Sequence, residues 1–192
     1  MKYELRKGSL AEFREADSGH VKVEGYAAVF NEETNIGGMF REVIEPGAFK
    51  YAIGRDDVVF LVNHDGLPLA RSKSGTLSLS EDDKGLFIST ELDMDDPDVR
   101  AIVPKMKRGD MDKMSFAFLA TREEWEETEE IPLRTVKEAA LFDVSIVNNP
   151  AYEGTEIGLR SFQDHIDKKN IDHSLIKSKM RMKIKLAQAE GA

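Results

Sequence analysis

The chain has 192 residues, 41% hydrophobic and 33% charged, with a net charge of −9 and no cysteine. That length suits about one domain with an appended tail. The missing cysteines exclude a disulfide framework, a thiolate metal site and a cysteine nucleophile, and the acidic balance argues against a general nucleic-acid binder.

The first seven residues lack the apolar core of a signal peptide. No apolar run approaches the roughly 20 residues that cross a bilayer, so a cytoplasmic protein with no membrane contact is expected. Residues 21–30 alternate and then turn apolar, as a strand entering a core does. Gly37-Gly38 marks a turn, and residues 39–44 alternate again. Residues 46–53 predict a short helix opened by Pro46 and closed by Gly54. The continuous apolar run at 58–62 predicts a strand buried on both faces. It ends in Asn63-His64-Asp65-Gly66, a turn signal. Strands follow at 69–79 and 85–92.

Asp95-Asp96-Pro97-Asp98 suits the first turn of a helix. Val99, Ile102, Val103 and Met106 form its apolar stripe, and Lys107-Arg108-Gly109 ends it. Residues 114–125, 131–136 and 139–147 predict three more strands, the last stopped by Pro150. The acidic run at 122–130 and the basic stretch from Lys168 to Lys185 read as a solvated loop and helix, or as an electrostatically positioned tail. Beyond Ser161 apolar residues are scattered without period among charges. Residues 1–161 are therefore expected to form the folded domain, and 162–192 a loosely attached tail. The implied architecture is a mainly β domain with peripheral helices (α+β), an antiparallel barrel or closed sheet.

Three short segments carry candidate chemistry. His64 stands at the exit of a core strand, Ser115 lies in Met114-Ser115-Phe116-Ala117-Phe118, and Asp143 interrupts an apolar strand. A serine hydroxyl needs a positioned base, and that base needs a partner to fix its tautomer. Plainer readings stand beside this one. His64 could be a hydrogen-bonded turn residue and Ser115 a back-bonded core residue. Asp143 could be paired with a structural arginine. Glu138 is a rival carboxylate on the same strand. There is no Gly-x-Ser-x-Gly elbow. Asp93, Asp95, Asp96 and Asp98 are rich in oxygen, but they lack an EF-hand frame. No metal or cofactor is expected.

The chain resembles the prohead proteases of HK97-type tailed bacteriophages. The matching stretches are Gly25-Tyr26-Ala27-Ala28-Val29-Phe30-Asn31, Arg41-Glu42-Val43-Ile44-Glu45-Pro46-Gly47-Ala48-Phe49, Val62-Asn63-His64-Asp65 and Met114-Ser115-Phe116-Ala117-Phe118. The fifth runs from Leu141-Phe142-Asp143-Val144-Ser145 through Pro150-Ala151-Tyr152. The resemblance spans about residues 20 to 160. It implies a serine endopeptidase with the closed β-barrel of the herpesvirus assemblins, His64 as base and Ser115 as nucleophile. Asp143 fills the slot where assemblins place a second histidine. Assemblins follow this strand with arginines that hold the oxyanion. Here the stretch is Asn148-Asn149-Pro150, which leaves backbone N–H groups or an asparagine side chain as donors.

The resemblance implies cleavage of scaffold protein, or of scaffold segments of the major capsid protein, and of the chain itself. The setting is the assembling prohead in the host cytoplasm. Self-association as a dimer is left open, and no specific nucleic acid is expected. Two alternatives stand. One is a non-catalytic assembly or scaffold protein that uses the same barrel and basic tail. The other, disfavoured by the missing elbow, is a small-molecule esterase.

Overall fold

The computed structural model describes residues 3–16, 19–128, 131–148, 163 and 165–168. The chain divides into two units, Met1–Thr155 and Glu156–Ala192. In the second unit the described residues are helical, and Gln163 donates to Asp167 one turn on, at 2.9 Å. The proposed tail boundary, Pro150 and the basic stretch beyond Lys168 lie outside the described residues.

The first unit runs β1 (Glu4–Ala16), β2 (His20–Val29), β3 (Thr34–Ile36), β4 (Phe40–Ile44), α1 (Lys50–Arg55), β5 (Val59–Val62) and β6 (Asp65–Arg71). It continues through β7 (Leu77–Glu81), β8 (Gly85–Asp93), α2 (Pro97–Lys107), β9 (Lys113–Glu126) and β10 (Leu133–Val147). The strand order is β3-β4-β10-β9-β1-β2-β8-β7, with β5 beside β10 and β6 beside β5.

This sheet is open, which corrects the expected closed antiparallel barrel. The reason lies in β10. One edge pairs antiparallel with β9 along most of its length. The other edge is shared by two parallel strands in succession, β4 against residues 133–136 and β5 against 143–146. The path then ends at β3 on one side and β7 on the other, and among the described residues these two do not pair. The pairing is therefore mixed. Helix α1 and its flanks bridge the gap between β4 and β5. Ala48 C=O accepts from Ala139 N–H at 2.9 Å, and the Asp56 carboxylate accepts from Leu141 N–H at 2.8 Å. Backbone donors that would otherwise be orphaned are thereby satisfied.

Strand β1 was not foreseen in the sequence. Its first half pairs with β9 and its second half with β2, with a register irregularity between Lys7 and Leu10. Gly8 sits at that crossing. A Cβ there would lie 2.3 Å from the carbonyl oxygens of Tyr26 and Ala27, so only glycine allows the approach. The single strand expected over 69–79 is two strands, β6 and β7. The two expected over 131–147 are one long β10.

The core confirms the periodic readings. Val99, Ile102, Val103 and Met106 of α2 are all buried. Asp96 caps that helix by accepting from Asp98 N–H at 2.8 Å. Phe49 meets Phe116 edge-on at 5.5 Å and stacks on Phe30 at 6.3 Å, while Phe116 lies 5.1 Å from Phe118. These rings fix β9 from its core side. Truncating one such buried ring typically costs about 3–5 kcal/mol. Ser115 is the neighbour of Phe116 and faces the other way, so its support is rigid.

Candidate active site

Strand β10 must turn both Leu141 and Asp143 to different faces, although strict alternation would put them on one. A register irregularity does this. Leu141 pairs with Phe118, Asp143 pairs with Ala117, and Phe142 is the extra residue. The Phe142 ring packs 5.7 Å from Tyr3. Beyond the irregularity Val144 and Ile146 share the core face with their partners Phe116 and Met114. Asp143 and Ser145 share the opposite face with Ala117 and Ser115. One carboxylate and two hydroxyls thus converge on one side of the sheet.

His64 reaches that side from the β5–β6 hairpin. Val62 pairs with Asp65, which leaves Asn63 and His64 as a two-residue turn. Both have positive φ, 51° and 60°, as the mirror-image turn of tight hairpins requires. The turn docks on β10. Asn63 N–H donates to Ile146 C=O at 3.0 Å, and His64 N–H donates to Ser145 Oγ at 3.2 Å. The Asn63 side-chain oxygen accepts from Asn148 N–H at 3.3 Å.

With the turn held there, the imidazole bridges two partners. Nε2 lies 2.7 Å from Ser115 Oγ, and Nδ1 lies 2.5 Å from Asp143 Oδ1. Ser115 is wholly buried, and the His64 and Asp143 side chains are 9% and 5% exposed. Ser115 Oγ is also 2.7 Å from Arg6 C=O on β1. A hydroxyl carries one proton, and a carbonyl only accepts. Donation to Arg6 therefore leaves Nε2 to donate to Oγ, while donation to Nε2 leaves Arg6 without it.

Residues 9–169 match the Caudovirus prohead serine protease family. The chain belongs to this family. It is 30% identical over 148 residues to the prohead protease of Enterobacteria phage HK97, an alignment covering 75% of this chain and 62% of that protein. The chain thus spans less than two thirds of the length of that curated relative. The bacteriophage T4 capsid assembly protease is similar in structure at a TM-score of 0.49 and 9% identity, over 78% of this chain and 98% of that one.

In this prohead serine protease family member, the three residues singled out in the sequence lie together. Glu138 does not join them. It sits further up β10, opposite Arg122, and the carboxylate at His64 Nδ1 is that of Asp143. Of the aspartates near α2, Asp96 caps the helix and Asp93 accepts from Asp95 N–H in the turn before it. Of the stretch considered for the oxyanion, Asn149 and Pro150 lie outside the described residues, and Asn148 N–H is taken by Asn63. Three contributors were missed in the sequence: Ser145, Asn63 and the Arg6 carbonyl. Ser145 was findable, because a residue two along from Asp143 on a strand shares its face. Arg6 was not, because its part is played by a backbone atom of an unforeseen strand.

A second polar group adjoins this one through Arg6, whose carbonyl faces Ser115 and whose guanidinium faces Glu4 and Glu42. Arg134 donates to Glu4 and Glu42 at 2.7–2.9 Å, and Arg6 donates to the same two carboxylates at 2.5–3.0 Å. All four residues are at most 6% exposed. Burial works against the Arg134 charge, but the surrounding glutamates more than offset it and hold its pKa well above the ordinary arginine value.

Proposed function

We propose that the chain is a serine endopeptidase of capsid maturation, with Ser115 as nucleophile, His64 as general base and Asp143 orienting His64. The observation that carries this reading is the unbroken pair of hydrogen bonds from Ser115 Oγ to His64 Nε2 and from His64 Nδ1 to Asp143 Oδ1. Membership of the prohead protease family supports the class of substrate.

In the reaction, Oγ attacks the scissile carbonyl carbon while its proton passes to Nε2. Asp143 stabilises the resulting imidazolium through Nδ1–H. The tetrahedral adduct collapses, the C–N bond breaks, and Nε2 gives its proton to the departing amine. Water then adds to the acyl-enzyme, giving its proton to Nε2. Collapse of this second adduct returns the proton to Oγ and releases the carboxyl product. The substrates we propose are scaffold protein, or scaffold segments of the major capsid protein, and the chain itself. The place is the assembling prohead in the host cytoplasm. Residues 162–192 are then a tail open to self-removal.

The test is an intact-mass spectrum of protease co-expressed with capsid and scaffold protein, wild type beside Ser115→Ala. New termini in the wild type that vanish in the variant are expected. Equal processing by Ser115→Ala would overturn the assignment and leave the non-catalytic assembly reading.

A further inference from the structure

Ser145 is wholly buried, on the strand face that carries the site. A buried hydroxyl left unpaired costs about 1–3 kcal/mol, and serines on strands ordinarily settle this with a nearby backbone group. Ser145 instead gives its proton to a side chain, and the backbone group it meets is 81 residues away in sequence. Its Oγ donates to Asp143 Oδ1 at 2.8 Å. It accepts from His64 N–H at 3.2 Å and lies 3.2 Å from His64 Nδ1. One proton and two lone pairs are thus shared between the base and the carboxylate that orients it, and no capacity is left over.

We propose that Ser145 is a positioning residue that locks His64 and Asp143 into a single reactive arrangement, in which the Asp143 carboxylate fixes the imidazole tautomer. This rests on the serine-peptidase reading above. Two consequences of the geometry carry it. First, the proton of Ser145 is committed to Asp143. Nδ1 therefore faces only acceptors, the carboxylate oxygen and the serine lone pair, and must itself hold a proton. Nε2 is then left bare to take the proton of Ser115. Second, His64 occupies a left-handed backbone conformation that a side-chain-bearing residue adopts at a cost. In a two-residue hairpin its N–H has no ladder partner, and Ser145 Oγ supplies the missing acceptor. The same atom therefore sets where the imidazole stands and holds the carboxylate that leaves Nε2 free.

The test uses the full chain and a peptide spanning the first junction mapped in the co-expression spectrum. Ser145→Ala removes one oxygen and adds no bulk. We expect kcat to fall by about tenfold to a hundredfold with KM unchanged, the pattern of misplaced groups rather than lost binding. The low-field proton resonance of His64 Nδ1–H should broaden or disappear. The urea midpoint of each protein serves as the stability control. Wild-type kcat in Ser145→Ala would overturn the proposal. So would a reduced kcat with an unchanged His64 resonance and a urea midpoint lowered enough to account for the loss, since that is a merely structural effect. If wild type yields no junction at all, the peptidase reading fails first and this inference falls with it. A junction cut at equal kcat by wild type and Ser145→Ala would leave the peptidase reading standing and sink this one alone.

Discussion

Asn63 and His64 occupy a backbone region that costs a side-chain-bearing residue about 1–2 kcal/mol. Glycine would relieve the second position, but glycine has no imidazole. The cost is offset by three hydrogen bonds that pin the turn to β10 and its exit. The carboxylate across from it is equally specific in its demands. Asp143 accepts from Nδ1–H and from Ser145, and an acceptor-only group is needed for both. Asp143→Asn keeps the shape but places an amide that donates. Turned toward Nδ1, it drives the imidazole proton to Nε2 and leaves Ser115 donating to Arg6 C=O with no base to take its proton. Cleavage of the junction peptide should fall by on the order of 10⁴, the size of effect known for the same exchange in a Ser-His-Asp triad. Circular dichroism should show the fold retained. Near-normal cleavage would remove Asp143 from the mechanism.

At the scale of elements, the gap between β4 and β5 decides where Asp143 sits. Asp56, at the end of α1, fills it by taking Leu141 N–H two residues before Asp143. Burial pushes the Asp56 carboxyl up, but hydrogen bonds from Arg55 and Leu141 N–H outweigh this and hold it below its ordinary value. A depressed carboxyl stabilises the fold fully above the unfolded carboxylate range. That contribution is lost as pH falls through the depressed value. Asp56→Ala should therefore lower stability by about 1–3 kcal/mol at neutral pH. The gap from wild type should narrow on acidification below the carboxylate range, to what the neutral carboxyl still gives Leu141 N–H. Urea unfolding at a series of pH values reads this, and a pH-independent difference would contradict it. Such features also mark how far the elements could be read from sequence. The α2 stripe was legible because its buried face is apolar, and β5 was legible as a strand, although only Phe60 of it is buried and not both faces as expected. Strand β1 was not, because its inward residues include Glu4 and Arg6, which look like surface. The register irregularity at Phe142 was hidden too, since it depends on which β9 residue lies opposite. The three site residues were readable as residue types on strand-like supports. Their contact came from pairings 51 and 79 residues apart.

For the whole molecule, the Glu4–Arg6–Glu42–Arg134 cluster ties β1, β4 and β10 together from inside. Arg134 also pairs with Glu123 of β9, which is less deeply buried than the other four. Arg134→Met fills similar space but leaves two buried carboxylates facing one guanidinium, and removing one partner of a buried pair typically costs about 3–5 kcal/mol. Guanidinium chloride unfolding should register a loss of that order. A variant as stable as wild type would show that the cluster relaxes without strain. The open sheet, in place of the expected barrel, follows from the doubled edge of β10, a feature of connectivity that no local pattern announces.

That connectivity also sets a clock. Arg6 meets Ser115 across 109 residues, and Arg134 meets Glu4 across 130. Folds built on such distant pairings form slowly, on the order of milliseconds to seconds, and none of these contacts exists until the later partner has been synthesised. A growing chain that has not yet delivered β10 has no Asp143, no Ser145 and no surface on which the His64 turn can dock. Translation itself therefore imposes a lag. His64, Ser115 and Asp143 come together only after β10 has been made.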